Sequence, residues 1–193
     1  MWEWVLDLDK EYFLLVNHSL SGSWAEAIIP LLREKLFWSP IYLFVVSAVW
    51  LNYSRAVALR ILLGLALAVT IADTCSSRLV KPAFARLRPC NDPDLRSLVT
   101  LRAPCGTGYS FTSSHATNHF AVAVFLAGFF GPIRPWIRWA LLLWAGSVAF
   151  AQVYVGVHYP IDVVCGALLG AWIGWAAHGL ARVSLPRAPR RAP

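Results

Sequence analysis

Pro160-Ile161-Asp162-Val163-Val164-Cys165-Gly166-Ala167-Leu168-Leu169-Gly170-Ala171-Trp172-Ile173-Gly174-Trp175-Ala176-Ala177-His178-Gly179-Leu180-Ala181 carries one carboxylate, in its first turn, and no further Asp, Glu, Lys or Arg before Arg182. A helix needs about 20 mainly apolar residues to cross the hydrocarbon core of a bilayer. Pro160 suits the first turn of such a helix. The stretch reads as a spanning helix that starts at an interface and leaves Asp162 there. Further apolar runs meet or approach the same length at about residues 36–51, 56–79, 114–130 and 136–154. The expected fold class is therefore all-α: a polytopic integral membrane helix bundle of about five transmembrane helices.

Composition agrees. Of 193 residues, 58% are apolar and 14% charged, and the mean hydropathy is +0.57. Soluble domains average about 45–50% apolar and about 25% charged. The net charge of +7 does not point to nucleic acid, because the cations are scattered between apolar runs and form no basic patch on a soluble module. The acidic start, Met-Trp-Glu-Trp-Val-Leu-Asp, lacks the basic region of a cleavable signal peptide.

Residues 1–33 mix Trp2, Val5, Leu6, Tyr12 and Phe13 with Glu3, Asp7, Asp9, Lys10 and Glu11. They read as amphipathic helices, either lying in the interface or capping the bundle. The organisation expected is residues 1–35 as interfacial or cap helices and 36–182 as the transmembrane domain, with a long polar loop at 80–113. Residues 183–193 form a basic tail expected to be disordered.

Placing the C-terminus in the cytoplasm gathers Arg55, Arg60, Arg134, Arg138, Arg182, Arg187, Arg190 and Arg191 in inside loops without an acidic residue. By the positive-inside rule the faces nearly tie, eight cations against nine, but Lys81, Arg86 and Arg88 on the outside belong to a candidate site and not to topology. Trp2, Trp4, Trp24 and Trp38 would then form an outer aromatic belt, and Trp50, Trp136 and Trp139 an inner one. Cys75 and Cys165 fall within spans and read as packing residues. Cys90 and Cys105 share the 80–113 loop, as a disulfide if the loop faces an oxidising compartment or as two free thiols.

Polar residues with chemistry lie where the apolar runs begin or end. Lys81-Pro82-Ala83-Phe84-Ala85-Arg86-Leu87-Arg88-Pro89 follows the second run. Arg offers a planar fork of donors that matches a phosphate. Ser113-Ser114-His115 opens the third run, where a helix N-terminus presents free N–H groups to an anion. His115 could there donate a proton to a leaving oxygen. Gln152 and His158 precede Asp162, and the four-residue step from His158 to Asp162 stacks imidazole on carboxylate if the turn is helical. A carboxylate on one imidazole nitrogen leaves the other free as a nucleophile. The set suits binding a phosphate and attacking it.

Together these stretches resemble the type-2 phosphatidic acid phosphatase superfamily of integral membrane lipid phosphatases. Its pattern is Lys, six residues, Arg-Pro; then Pro-Ser-Gly-His; then Ser-Arg, five residues, His, three residues, Asp. Lys81, Arg88 and Pro89 match the first part fully. Thr112-Ser113-Ser114-His115 keeps the Ser and His of the second, and His158 and Asp162 keep the spacing of the third. Ala151-Gln152 stands where Ser-Arg is expected.

The resemblance implies that His158 attacks phosphorus, Asp162 orients it and His115 protonates the leaving group. Lys81, Arg88, Ser113, Ser114 and Gln152 are then the phosphate-binding residues. Because Gln152 brings no charge, either phosphate is held more weakly or another cation such as Arg78, Arg86 or Arg102 substitutes. No cofactor and no metal is implied. The rival zinc set, His115, His119, His158 and Asp162, lacks an additional general base. A non-catalytic lipid-phosphate-binding protein or transporter would have no need for these residues together.

The expected substrate is a lipid phosphate or diphosphate, with undecaprenyl diphosphate preferred over phosphatidylglycerol phosphate and lipid A phosphate. The only other expected partner is the bilayer, with neither nucleic acid nor protein. The setting implied is a bacterial inner membrane, with the site on the external, periplasmic face.

Overall fold

The computed structural model describes residues 3–19 and 22–182; the tail at 183–193 and Trp2 lie outside the described residues. The helices are α1 (Glu3–Ser19), α2 (Ser23–Ile28), α3 (Ser39–Asn52), α4 (Arg55–Thr74), α5 (Lys81–Phe84), α6 (Ser114–Phe130), α7 (Pro135–Tyr154) and α8 (Pro160–Ala181). A 3₁₀ turn, Ile29–Arg33, follows α2, and a π-helical turn, Cys75–Val80, joins α4 to α5. The described residues contain no strand.

The apolar runs become helices with small shifts at their ends. Pro135 and Pro160 open α7 and α8, where a missing N–H leaves no helical bond unmade. Ser113 caps α6, its hydroxyl accepting from the Ala116 N–H at 3.4 Å. This relieves one orphan donor of the first turn.

α6 is the central helix, packed against α4, α7 and α8. Its approach to α8 is close: a Cβ at Gly170 would lie 2.1 Å from the Thr117 carbonyl oxygen. Small residues at a crossing let helix backbones approach where no hydrophobic driving force exists between them. Ile61, Phe125, Leu126, Phe129 and Val49 fill the core between α3, α4, α6 and α8. Phe13, Ala116, Ala149, Val153, Tyr159 and Val163 fill a second core, where α1 meets the bundle.

The outside of the bundle is apolar. Leu43, Phe44, Leu63, Leu67, Leu143, Leu168, Trp172, Trp175 and Leu180 all point outward. Contiguous exposed apolar surface on this scale suits lipid and not water. The protein is integral to the membrane. By length and composition α4 with its extension, α7 and α8 can each cross a bilayer. α3, with 14 residues, and α6, with 17, fall short of that length. The reading of about five spans thus stands at three helices that meet the requirement outright, with α6 enclosed by its neighbours.

α1 is amphipathic in an unusual way. Asp9, Phe13 and Asn17, spaced by four, are its buried residues, while Trp4, Leu6, Tyr12 and Leu15 are exposed. It packs on α7 and α8. Trp38, read from sequence as part of an outer belt, turns inward: its Nε1 donates to the Leu32 carbonyl at 2.7 Å, and its ring stands edge-on to Trp144 at 5.9 Å.

Candidate active site

The turn between α7 and α8 delivers His158. It requires glycine at 156, where φ is +87° and a Cβ would meet Val99 Cγ1 at 2.7 Å. Only a residue without a side chain tolerates both conditions. The N–H groups of Val157 and His158 donate to the Gln152 carbonyl, each at 3.3 Å, closing the turn on the end of α7. Tyr159 then starts α8 with a capping box: its N–H donates to Asp162 Oδ2 at 2.9 Å. That reciprocal cap pins Asp162 in the first turn, directly beneath His158.

Asp162 is fully buried and each of its oxygens has partners. Oδ2 lies 3.4 Å from His158 Nδ1 and accepts from Ser110 Oγ. Ser110 Oγ itself lies 3.3 Å from the same Nδ1. Oδ1 accepts from Arg86 Nη1 at 2.8 Å. Arg86 Nη2 donates to Asp9 Oδ2 at 2.7 Å, and its guanidinium lies over the Tyr159 ring, 3.8 Å from the centroid. Asp9 Oδ1 accepts from the Ile161 N–H at 2.8 Å. One carboxylate on α1 thus holds both the arginine that braces Asp162 and the first turn of the helix that carries it. Burial raises the Asp9 carboxyl above its ordinary range, offset by the Ile161 N–H and by Arg86.

These contacts settle the imidazole's orientation. Nδ1 faces Asp162 and Ser110, and Nε2 lies 3.4 Å from Arg88 Nη1. Burial lowers the His158 pKa to about 4, despite the opposing pull of Asp162. The ring is therefore neutral at physiological pH, with Nε2 directed at a cation. A neutral imidazole oriented by a carboxylate is the form required of a nitrogen nucleophile.

The other predicted residues divide into two groups. Arg88 is braced by the Gly108 and Val157 carbonyls at 2.9 and 3.2 Å, which holds its fork beside His158. Lys81 donates to the Tyr109 and Ser110 carbonyls at 2.7 and 3.2 Å and so fixes the segment that presents Ser110. The His115 ring is half-buried and makes no hydrogen bond among the described residues; it stacks parallel on His119 with centroids 6.3 Å apart. The hydroxyls of Ser113 and Ser114 face elsewhere. Ser113 caps α6, and Ser114 bonds the Ser76 and Ser77 hydroxyls at 3.0 Å. The Ser113 N–H is itself taken, donating to the Asp162 carbonyl at 3.0 Å, so what this pair offers an anion is the Ser114 N–H at the start of the helix. Gln152 is 1% exposed, and its Nε2 has no partner.

Of the substitutes considered for the missing arginine, Arg86 is committed to Asp9 and Asp162. Arg102 pairs with Glu26 and lies over Tyr154, and Arg78 is exposed. No three of His, Cys, Asp and Glu gather as metal ligands among the described residues. His119 has both ring nitrogens engaged, with the His115 carbonyl at 2.8 Å and the Tyr42 hydroxyl at 3.1 Å.

Ser110 and Asp9 were not singled out from the sequence. Ser110 is a loop serine that no pattern distinguishes from its neighbours. Asp9 had a signal: it lies four residues before Phe13 and eight before Asn17, on the face that buries Phe13. Cys90 and Cys105 form a disulfide, closing a loop that Arg88 precedes by two residues and Gly108 follows by three.

Residues 57–184 match the family model described as the PAP2 superfamily. The chain is 31% identical over 183 residues to a lipid A 4'-phosphatase of Bacteroides thetaiotaomicron, covering 94% of this chain and 80% of the relative. It is 27% identical over 177 residues to an undecaprenyl-diphosphatase of Sulfolobus acidocaldarius, covering 88% and 77% respectively. Its fold resembles the crystal structure of a transmembrane PAP2-type phosphatidylglycerolphosphate phosphatase from Bacillus subtilis, with a TM-score of 0.67 at 20% identity over 91% of this chain and 85% of that one.

Proposed function

The chain belongs to the PAP2 superfamily, and from that premise we propose that this membrane lipid phosphatase works through a phosphohistidine on His158. The observation that carries the reading is the split environment of that imidazole: Nδ1 against Asp162 and Ser110, Nε2 beside Arg88. The Nε2 lone pair attacks phosphorus as the bond from phosphorus to the lipid oxygen breaks. The leaving oxygen takes a proton from His115. Water then attacks phosphorus, returns a proton to His115 and releases inorganic phosphate with His158 neutral again. Arg88 and the N–H groups at the start of α6 hold the phosphoryl oxygens as their charge shifts, the kind of preorganised stabilisation worth most in a water-poor site.

For the substrate, similarity to the Bacteroides lipid A 4'-phosphatase supports a phosphorylated lipid A sugar. The Sulfolobus relative supports the undecaprenyl diphosphate favoured from sequence. The site lies on the external face, with the C-terminus cytoplasmic. The disulfide between Cys90 and Cys105 supports this orientation, since such bonds persist in oxidising compartments.

The test is a phosphate-release panel over lipid A, undecaprenyl diphosphate and phosphatidylglycerol phosphate, with His158→Ala as the blank. Quenching in alkaline detergent should trap a phosphoenzyme that is stable in base and lost on acid treatment in the wild type, and none in the blank. Release that persists in His158→Ala would overturn the mechanism.

A further inference from the structure

Arg33 ends the 3₁₀ turn next to Glu34, and among the described residues no carboxylate lies within ion-pair distance of it. Its side chain is half-buried, with Nε sealed from solvent and without a hydrogen-bond partner. The other arginines close to the site are all engaged: Arg86 with two carboxylates, Arg88 with two carbonyls and Arg102 with Glu26. A buried donor left unmatched carries a desolvation penalty, and a charged one more so.

The turn is fixed at the site. Ile29 packs in one cluster with Ala151, Tyr154, Val155 and Val157, the residues that flank Gln152 and His158. The Trp38 indole clamps the Leu32 carbonyl and stands on Trp144, whose ring in turn lies 5.0 Å from His119. The turn that ends in Arg33 packs on α7, the helix whose last turn holds Gln152. On that helix the Gln152 amide nitrogen, sealed in the core, is also without an acceptor among the described residues. Unmatched donors therefore come from two separate elements at the same end of the bundle, with cations and imidazoles as their charged neighbours. An anion would satisfy them all.

We propose that Arg33 is a phosphate-binding residue of the active site, supplying from the N-terminal segment the guanidinium that Gln152 does not. This rests on the lipid-phosphatase reading above and deepens it, because Arg33 lies outside the residues that match the family model. Arg33 and Arg88 grip the phosphoryl oxygens, and Gln152 adds a neutral donor.

The experiment uses the full chain purified in detergent and compares wild type with Arg33→Gln and Arg33→Lys. It reads KM for the lipid phosphate found in the panel, and the inhibition constant and thermal shift produced by orthovanadate, a phosphoryl analogue. Losing a charged hydrogen bond predicts that Arg33→Gln raises KM and the vanadate constant about 10- to 100-fold. Arg33→Lys, which keeps the charge but not the fork, should lie between. Unchanged KM and vanadate affinity in Arg33→Gln would overturn the proposal; if that variant does not fold, wild-type values in Arg33→Lys would do so. The vanadate thermal shift reports binding without turnover. A wild type that binds vanadate but cleaves no lipid would sink the function and leave Arg33 to be judged on binding. A wild type that does neither would sink both.

Discussion

Asp9→Asn isolates the contribution of α1 to the site. The substitution keeps size and leaves Oδ1 to accept from the Ile161 N–H, now at 2.8 Å. It removes the charge that faces Arg86 Nη2 across 2.7 Å and turns an amide donor toward a guanidinium donor. Breaking a fully buried ion pair costs about 3–5 kcal/mol. Here Arg86 is 19% exposed and retains Asp162, so the loss of one charged hydrogen bond, about 1.5–3 kcal/mol, is the better measure. For a chain of this size about 1 kcal/mol shifts Tm by roughly 2–4 °C, which predicts a drop of several degrees. Activity should fall as well. An Arg86 no longer shared with Asp9 draws the Asp162 charge away from His158 Nδ1 and makes Nε2 a poorer nucleophile. If half of the lost energy appears in the barrier, kcat falls about 3- to 10-fold. KM should hold, because Asp9 touches no substrate. Asp9→Glu should restore most of kcat. A variant with lowered Tm but wild-type kcat would refute the relay and leave Asp9 a stability residue only.

Further outcomes follow from the same geometry. Arg88→Ala should cost about 100-fold or more in kcat/KM, as expected for a donor to the transferring group, and Gln152→Ala distinctly less; equal losses in purified-enzyme assays would count against the division. Reducing the disulfide, or replacing both Cys90 and Cys105 by Ala, should lower Tm and raise KM, since a bridge over roughly 15 residues is worth about 3 kcal/mol in the chain-entropy model and its two ends flank the Arg88–Gly108 contact. His158, with its pKa lowered to about 4 by burial, should show no titration of its ring resonances between about pH 5.5 and 8. The stability gained by keeping it neutral is complete above the unfolded value of about 6.5 and lost as the pH falls through the folded one. Gly156→Ala should cost about 2 kcal/mol or more by backbone strain and the clash with Val99, read as a lowered Tm.

Local signals carried well in this chain. The apolar runs at 114–130 and 160–181 coincide with α6 and α8, and Pro160 opens α8. The His158–Asp162 spacing was readable because a helical first turn converts a four-residue step into a contact. The span count was less readable, since hydropathy cannot tell a lipid-facing helix from one enclosed by others, and α6 is the enclosed one. Ser113 and Ser114 show the complementary limit. A sequence pattern can say that their hydroxyls sit at a helix start, but not that Ser76 and Ser77 on the turn after α4 claim one of them. Ser110 reaches Asp162 across 52 positions through a loop, and Asp9 reaches the Ile161 N–H beside it across 152 positions from a separate helix. Periodicity says which face of a helix is buried; it does not say what that face meets.

The face of α1 offers a way past that limit. A helix at a membrane edge can satisfy lipid on one side with Trp4, Leu6, Tyr12 and Leu15, so nothing forces polar groups onto its other side. Burying Asp9 and Asn17 beside Phe13 is costly unless each finds full hydrogen bonding, and both do: Asn17 bonds the Thr100 and Tyr154 carbonyls and the Thr100 N–H, and Asp9 bonds Arg86 and Ile161. Those partners belong to the loop and turns that hold Arg88, His158 and Asp162. α1 therefore ties the turn that carries His158 to a helix whose opposite face is apolar and exposed; on the proposed reading, with that face at the lipid surface, the seating of α1 sets the depth at which His158 meets the phosphate of a membrane lipid.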